Sequence, residues 1–125
     1  MVVIATATAC SLPGSQVEGT EGLVGTHTVN GTDPEGGEYS GTVEIRATDR
    51  TDTFEVSWVI TESILEGTAT VDGDRVRVTW ASVEGAERPI SGTGTYTIDD
   101  EGNLVGRRIV AGTDAELTET IYQKA

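Results

Sequence analysis

The sequence predicts an all-β fold, a single eight-stranded antiparallel up-and-down β-barrel preceded by a flexible or strand-forming N-terminal arm. Apolar and polar residues alternate strictly in eight segments, which is the period of a strand with one buried face. Turn-forming clusters separate the segments about every ten residues, a spacing typical of barrels and sandwiches. A glycine repeat runs through the same segments. No stretch keeps the 3.6-residue apolar period of a long helix.

The length and charge of the chain limit its class and its partners. A chain of 125 residues is enough for one domain, and we divide it into an arm at 1–21 and a barrel domain at 22–125. Acidic residues outnumber Lys and Arg by 21 to 8, which gives a net charge of -13. Such a charge repels nucleic acid and anionic membrane surfaces, because both are bound through Lys and Arg. No nucleic-acid partner is predicted.

The N-terminal arm allows two interpretations. Ala7, Thr8 and Ala9 precede Cys10 as small residues do in a bacterial lipobox, although Ala7 stands where Leu is usual and no basic leader comes before it. In the first interpretation the protein is exported, to the periplasm, the outside or a lipid anchor on Cys10, and that lipid is its one contact with a membrane. In the second, the arm is disordered or forms a strand, and the protein is cytoplasmic. No run of about 20 apolar residues predicts a spanning helix.

The eight predicted strands follow one another with short connections. They cover 23–29, 39–45, 54–60, 65–71, 76–80, 90–98, 104–110 and 115–121. The connections are NGTDPEGG, TDRTD, TES, DGD, EGAER, DDEGN and AGTD, all rich in residues that favour turns. In an up-and-down order NGTDPEGG and the connection around EGAER lie at the same end of the barrel. We expect this end, which has the longer loops, to be the mouth.

The repeat has the pattern apolar-x-Gly-x-x-x-apolar. It occurs as LVGTHTV, YSGTVEI, LEGTATV, ISGTGTY and LVGRRIV, and two copies are followed by a strand with Val-x-Trp. An inward glycine leaves room where a curved sheet brings its walls together, and it permits the kink that closure needs. Closure is favoured because it removes exposed strand edges.

This layout resembles the calycin type of barrel, the group of the lipocalins and avidins. The phrases YSGTVEI, FEVSWVI, LEGTATVDGDRVRVTW and DDEGNLVGRR also resemble small, uncharacterised exported bacterial proteins, over about residues 22 to 122. The Gly-x-Trp motif that opens lipocalins and avidins is replaced by Gly25-Thr26-His27. The resemblance therefore implies the barrel, but no biotin or retinoid site and no activity.

Three inward residues could form a polar cluster in the lumen. In a closed barrel the seventh, eighth and first strands are neighbours, and their inward positions contain Arg108, Glu119 and His27. Buried charges persist when they are paired, so the three could recognise one polar group of a ligand. Alternatively, the pair is structural, or a bulge turns Val105, Arg107 and Ile109 inward instead. The aromatic residues predicted in the lumen are Phe54, Trp58, Trp80 and Tyr96.

Catalysis, metals and cofactors are not predicted. One Cys and one His give no intrachain disulfide and no zinc cluster, and no serine stands in a Gly-x-Ser-x-Gly elbow. The acidic run at Asp99, Asp100, Glu101 and Asn103 suggests calcium, but it lacks the twelve-residue loop with its terminal Glu. We interpret this run as a hairpin turn.

Two functions remain. The sequence slightly favours a non-enzymatic, exported module that is structural or contacts another protein or a second copy of itself, because the interior of a small eight-stranded barrel is just wide enough for its own side chains. Val24, Val59, Val105 and Ile109 point outward and could form the contact patch. The arm could also add a strand to a neighbouring sheet edge if the barrel is incompletely closed. The alternative is a barrel that binds a small apolar or amphipathic molecule in its lumen. That alternative needs a cavity of about 300 Å³ or more, and it fails if the aromatic residues fill the interior.

Overall fold

The computed structural model describes residues 22–60, 63–83 and 89–123. It contains eight strands: β1 Gly25–Thr32, β2 Glu38–Ala47, β3 Thr53–Ile60, β4 Ser63–Asp72, β5 Arg75–Ser82, β6 Ser91–Ile98, β7 Leu104–Val110 and β8 Glu116–Tyr122. The predictions for the arm, including the lipobox and lipidation of Cys10, lie outside the described residues. In the described ranges there is no helix with the length and apolar character to cross a bilayer.

The strands form one closed antiparallel barrel in sequence order. Each pairs with its neighbour along the chain, and β1 pairs with β8 through a register that runs from Thr28 opposite Tyr122 to Thr32 opposite Thr118. The predicted all-β, eight-stranded up-and-down fold is confirmed. Because the ring is closed, β1 and β8 have no unpaired edge along this register.

The inward faces of the strands are those that the alternation predicts. On β3, for example, Phe54, Val56 and Trp58 are buried while Glu55 and Val59 are exposed. On β7, Arg108 is buried and Arg107 is exposed, so the bulge that would have turned Arg107 inward is absent from this strand. Sixteen buried hydrophobic residues of the described ranges form one core cluster inside the barrel.

The repeated glycines are required by neighbouring strands more than by opposite walls. A Cβ added to Gly41, Gly67 or Gly106 would overlap the carbonyl oxygen of Val59, Thr79 or Thr95 on the adjacent strand. At Gly92 the same overlap would involve Ile109, and the ring of Trp80 also lies against this glycine. At these four of the five repeat positions the pattern marks points where adjacent backbones approach closely and the sheet can bend. The fifth, Gly25, has no atom within 4 Å of an added Cβ but has a φ of +136°.

The two ends of the barrel differ in their connections. The connections β2–β3, β4–β5 and β6–β7 lie at one end, which we call the base. The connections β1–β2, β3–β4, β5–β6 and β7–β8 lie at the other, which we call the mouth. Of the two longer predicted loops, EGAER at 84–88 lies outside the described residues.

One turn design is used at both ends. At the mouth, Asp33 Oδ1 accepts from the backbone N–H groups of Glu35 (2.9 Å) and Gly37 (2.8 Å). At the base, Asp99 Oδ1 accepts from those of Glu101 and Asn103, both at 2.9 Å. The fourth residue of each turn is a glycine with positive φ, +88° at Gly36 and +87° at Gly102, a conformation that favours glycine.

The acidic run at 99–103 is thus a hairpin turn. The N–H of Asn103 and then the other donors of the turn hold the pKa of Asp99 below its usual value. Among the described residues no group of three or more His, Cys, Asp or Glu side chains is arranged to hold a metal ion.

Candidate functional site

A polar cluster centred on Glu119 lies inside the barrel. Oε1 of Glu119 accepts from Tyr39 Oη (2.6 Å) and Arg108 Nε (3.0 Å). Oε2 accepts from Tyr96 Oη (2.7 Å) and Trp58 Nε1 (3.0 Å). One carboxylate therefore receives four hydrogen bonds from four strands, which is the full acceptor capacity of an ionised Glu.

Two glycines make room for this arrangement. Glu119 on β8 lies opposite Gly31 on β1 and opposite Gly106 on β7. Gly31 in turn lies opposite Tyr39, and Gly106 lies opposite Tyr96. The order Tyr39, Gly31, Glu119, Gly106, Tyr96 is therefore one row across five strands. A side chain at Gly31 would overlap the ring of Tyr39, so the glycine lets this hydroxyl reach the carboxylate.

The guanidinium of Arg108 is held by one carboxylate and three aromatic rings. Its side chain is 2% exposed and that of Glu119 is 0% exposed. The guanidinium carbon lies 5.0 Å from the centroid of the Trp80 ring, 5.7 Å from Trp58 and 5.8 Å from Tyr39, within the range of cation–π attraction. Nη2 also donates to Tyr39 Oη at 3.2 Å. The buried charge is thus both paired and packed.

These surroundings shift the titration of the cluster. Burial, followed by the negative charge of Glu119, raises the pKa of Tyr96 well above its ordinary value. The pKa of Tyr39 is raised for the same two reasons in the same order. Burial alone would lower the pKa of Arg108, but Glu119 and the two tyrosines outweigh it and raise that pKa. Both tyrosines therefore stay neutral and Arg108 stays charged across the physiological range.

The interior toward the base is filled. A cavity of about 10 Å³ remains among its apolar side chains, no more than a single water would need. Phe54, Trp58 and Tyr96, three of the four aromatic residues that the sequence assigned to the lumen, line this space. All three are buried. In this half the aromatic and aliphatic side chains together leave almost no free space.

The interior toward the mouth is open. A cavity of about 400 Å³ lies there, the mouth cavity, and the fourth aromatic residue, Trp80, is in its wall. Arg108 also lines it, so one side of the polar cluster reaches this space. Asp33, Glu35 and Ile90 contribute from the connections at the mouth. The inward residues of the strands that line the mouth cavity are Ile60, Ser63, Leu65, Trp80, Arg108, Val110 and Leu117.

A larger concavity of about 760 Å³ lies on the outer wall, over β1, β2, β7 and β8. The side chains around it that point outward are largely polar, such as the exposed Asn30 and the half-buried Thr32 and Thr120. Because ligand sites usually enclose their ligand between apolar walls, we assign the candidate site to the mouth cavity.

His27 does not join Arg108 and Glu119, which corrects the three-residue cluster. Its side chain points inward and is 4% exposed, as predicted. However, its Nε2 donates to the Leu23 carbonyl at 2.7 Å, and its Nδ1 is buried without a hydrogen bond to any described residue. Glu119 lies opposite Gly31, four residues along β1 from His27, or roughly 13 Å at the rise of a strand. His27 therefore points into the lumen as predicted, but it lies at a different level along the barrel axis from Glu119.

The four outward residues that were to form a contact patch are separated on the barrel surface. Val59 and Val105 are 56% and 46% exposed, and Val24 and Ile109 are exposed too. However, Val59 is on β3 and Val105 is on β7, four strands away in a ring of eight. They therefore lie on opposite sides, and singly exposed hydrophobic residues of this kind are common on protein surfaces.

Sequence reasoning missed Tyr39 as a member of the site. The alternation of β2 already turned it inward, and the hairpin between β1 and β2 placed it opposite Gly31. An inward tyrosine facing a glycine next to an inward carboxylate is the signal that could have identified it, because a buried tyrosine hydroxyl usually finds a partner.

Comparison with known proteins supports the fold. No family model matches the chain, and no curated protein matches it. Among solved structures, a redesigned β-barrel has a TM-score of 0.73 at 18% identity, over 89% of this chain and 100% of that one. The redesigned β-barrel mFAP1, bound to DFHBI, has a TM-score of 0.72 at 19% identity, over 86% and 100%.

A fluorescence-activating β-barrel designed de novo has a TM-score of 0.66 at 17% identity, over 87% of this chain and 100% of that one. At such identities the similarity shows the fold alone. The class of protein is therefore a closed eight-stranded antiparallel barrel of the kind used in these designs.

Proposed function

We propose that this protein binds a small molecule in the mouth cavity. The observation that carries the proposal is the asymmetry of the lumen, with about 10 Å³ free toward the base and about 400 Å³ toward the mouth. The larger volume lies within the range of small-molecule sites. Apolar walls with one charged group at their inner side are the usual composition of such sites.

Structural neighbours support this proposal at the level of the fold. The redesigned barrel mFAP1 is bound to DFHBI, so a barrel with this strand order can hold a small ligand. The two chains are only 19% identical, so the ligand of the present barrel has to be inferred from its own residues.

Binding is a better account of the cluster than catalysis. A general base needs a free lone pair within reach of substrate, whereas both oxygens of Glu119 already accept two hydrogen bonds each. The tyrosines are kept neutral by burial and by Glu119. We therefore assign the cluster a role in fixing Arg108 at the cavity wall.

The interaction module that the sequence slightly favoured has less support. Its four exposed residues are divided between opposite sides of the barrel. The closed register between β1 and β8 also removes the edge to which the arm could have added a strand. Export stays a prediction from the residues of the arm.

The binding proposal is tested with N-phenyl-1-naphthylamine, an uncharged probe whose fluorescence rises when it leaves water. We compare Val110→Trp, which fills the mouth cavity, with Ile109→Trp, which adds the same ring on the outer face one residue earlier. We expect saturable binding to the native protein, at least a tenfold loss of affinity in Val110→Trp and no change in Ile109→Trp. An equal response of the two variants, or no binding to the native protein, would refute the proposal.

A further inference from the structure

The mouth cavity also indicates which chemical class of ligand it takes, an inference that rests on the proposed function. Its inner wall offers a ligand no free acceptor on Glu119. Tyr39, Arg108, Trp58 and Tyr96 occupy both oxygens of that carboxylate. A ligand donor at this depth would have to displace one of these partners and leave it unsatisfied, which is costly in a buried site.

Arg108 offers a donor but little uncompensated charge. Its Nε and Nη2 are used by Glu119 and Tyr39, while Nη1 makes no hydrogen bond to any residue in the described part of the chain. The positive charge is matched by the Glu119 carboxylate at 3.0 Å. What remains for a ligand are the N–H groups that these two bonds leave unused, among them both on Nη1, in an ion pair that is already neutral.

The outer part of the cavity is acidic. Asp33 and Glu35 belong to its lining, and Arg108 is the one cationic residue among the described residues that line it. The whole chain carries a net charge of -13. A ligand carboxylate at Arg108 would make two carboxylates for one guanidinium, and burying an unmatched charge is unfavourable.

We infer that the mouth cavity binds uncharged amphipathic molecules whose polar end is a hydrogen-bond acceptor, such as an amide, ketone or ester, and discriminates against the corresponding carboxylates. The acceptor takes an unused N–H of Arg108, and the apolar part lies against the aliphatic wall formed by residues such as Ile60, Leu65 and Leu117.

A matched pair of probes tests this. 2-Naphthamide and 2-naphthoate share a ring system and differ in the charge of the polar group at pH 7. Isothermal titration calorimetry on the native protein should give at least tenfold tighter binding of the amide. Equal or tighter binding of the naphthoate would overturn the ligand class and leave the proposed binding function intact.

Two charge variants separate electrostatics from shape. Glu35→Arg changes the acidic lining of the mouth, and Glu101→Arg makes the same change at the equivalent turn position at the base. Both side chains are exposed and neither is placed in the cluster. We expect Glu35→Arg to tighten naphthoate binding about two- to fivefold, because like-charge repulsion is replaced by attraction within a screening length. Amide binding should not change in Glu101→Arg, and in Glu35→Arg it should change less than naphthoate binding, because the amide carries no charge.

The results separate the charge argument, the ligand class and the binding function itself. An unchanged naphthoate affinity in Glu35→Arg, or the same gain in Glu101→Arg, would overturn the charge argument. Binding of N-phenyl-1-naphthylamine that Val110→Trp abolishes, together with no binding of either naphthyl compound, would overturn the ligand class alone. Failure of all three probes would overturn the binding function itself.

Discussion

The base and the mouth halves of the lumen have the same strands but different interiors. Toward the base, large apolar residues such as Phe54 and Leu104 close the space almost completely, while toward the mouth the walls stand apart around about 400 Å³. The Glu119 cluster lies between the two halves, since Trp58 and Tyr96 line the base and Arg108 lines the mouth. A small barrel can therefore keep one half as its hydrophobic core and use the other as a site.

The largest expected effect comes from removing the buried ion pair between the two halves. Arg108–Glu119 and Arg107–Glu116 both join β7 to β8, but the first is buried at 3.0 Å and the second is exposed at 3.8 Å. Glu119→Ala leaves a buried guanidinium unpaired, so we expect it to lower the free energy of unfolding by about 3–5 kcal/mol in urea denaturation.

Glu116→Ala is the matched control and should change the free energy of unfolding by about 0–1 kcal/mol, because water screens exposed pairs. If Glu119→Ala and Glu116→Ala lost equal stability, the Glu119 cluster would not be a buried and paired group between the two halves of the lumen.

A second prediction compares the halves directly. Leu104 is 4% exposed and lines the filled base, whereas Leu117 is partly exposed and lines the mouth cavity. Leu104→Ala should cost about 2–4 kcal/mol of unfolding free energy, since it creates a new void in a packed core. Leu117→Ala enlarges a space that already exists and should cost less than half as much. Similar costs in chemical denaturation would mean that the mouth half is packed as tightly as the base.

The smallest effect concerns alkaline pH. The pKa of Tyr96 is raised in the folded state, first by burial and then by Glu119. Its contribution to stability is therefore complete below the unfolded-state pKa, about 10, and declines as the pH rises above it. The unfolding free energy of the native protein should fall as the pH rises above about 10. It should fall less steeply in Tyr96→Phe than in Tyr122→Phe, a control at an exposed tyrosine. Equal slopes would contradict the assigned environment of Tyr96.

Most of the fold could be predicted because the side-chain period of a strand is short and strict. Two or three apolar residues on each strand, such as Val56 and Trp58 on β3, fix which face is buried. A shift by one residue would expose all of them. Closure follows from eight such strands in sequence with short connections. The register between β1 and β8 could not be predicted, because no turn joins those two strands.

The candidate site was harder to predict for the same reason. Alternation gives the direction of a side chain but not its height in the barrel, which depends on the stagger of strands around the ring. Arg108 and Glu119 are on strands joined by a short connection and so could be paired from sequence. The position of His27 relative to β8 depends on the register between β1 and β8. Because that register could not be predicted, the predicted level of His27 along the barrel axis was wrong. The size of the mouth cavity depends on packing that alternation does not describe.

The closing register has a consequence for how the chain could be rearranged. Gln123 Nε2 donates to the carbonyl of Gly22 at 2.8 Å, so the first and last parts of the barrel are already neighbours. A short linker between them, with new termini opened in the tight β4–β5 connection at the base, would give a circular permutant that retains all eight strand pairings. The mouth connections would be untouched. Such a molecule would therefore change the order of the strands along the chain while the cavity kept its geometry.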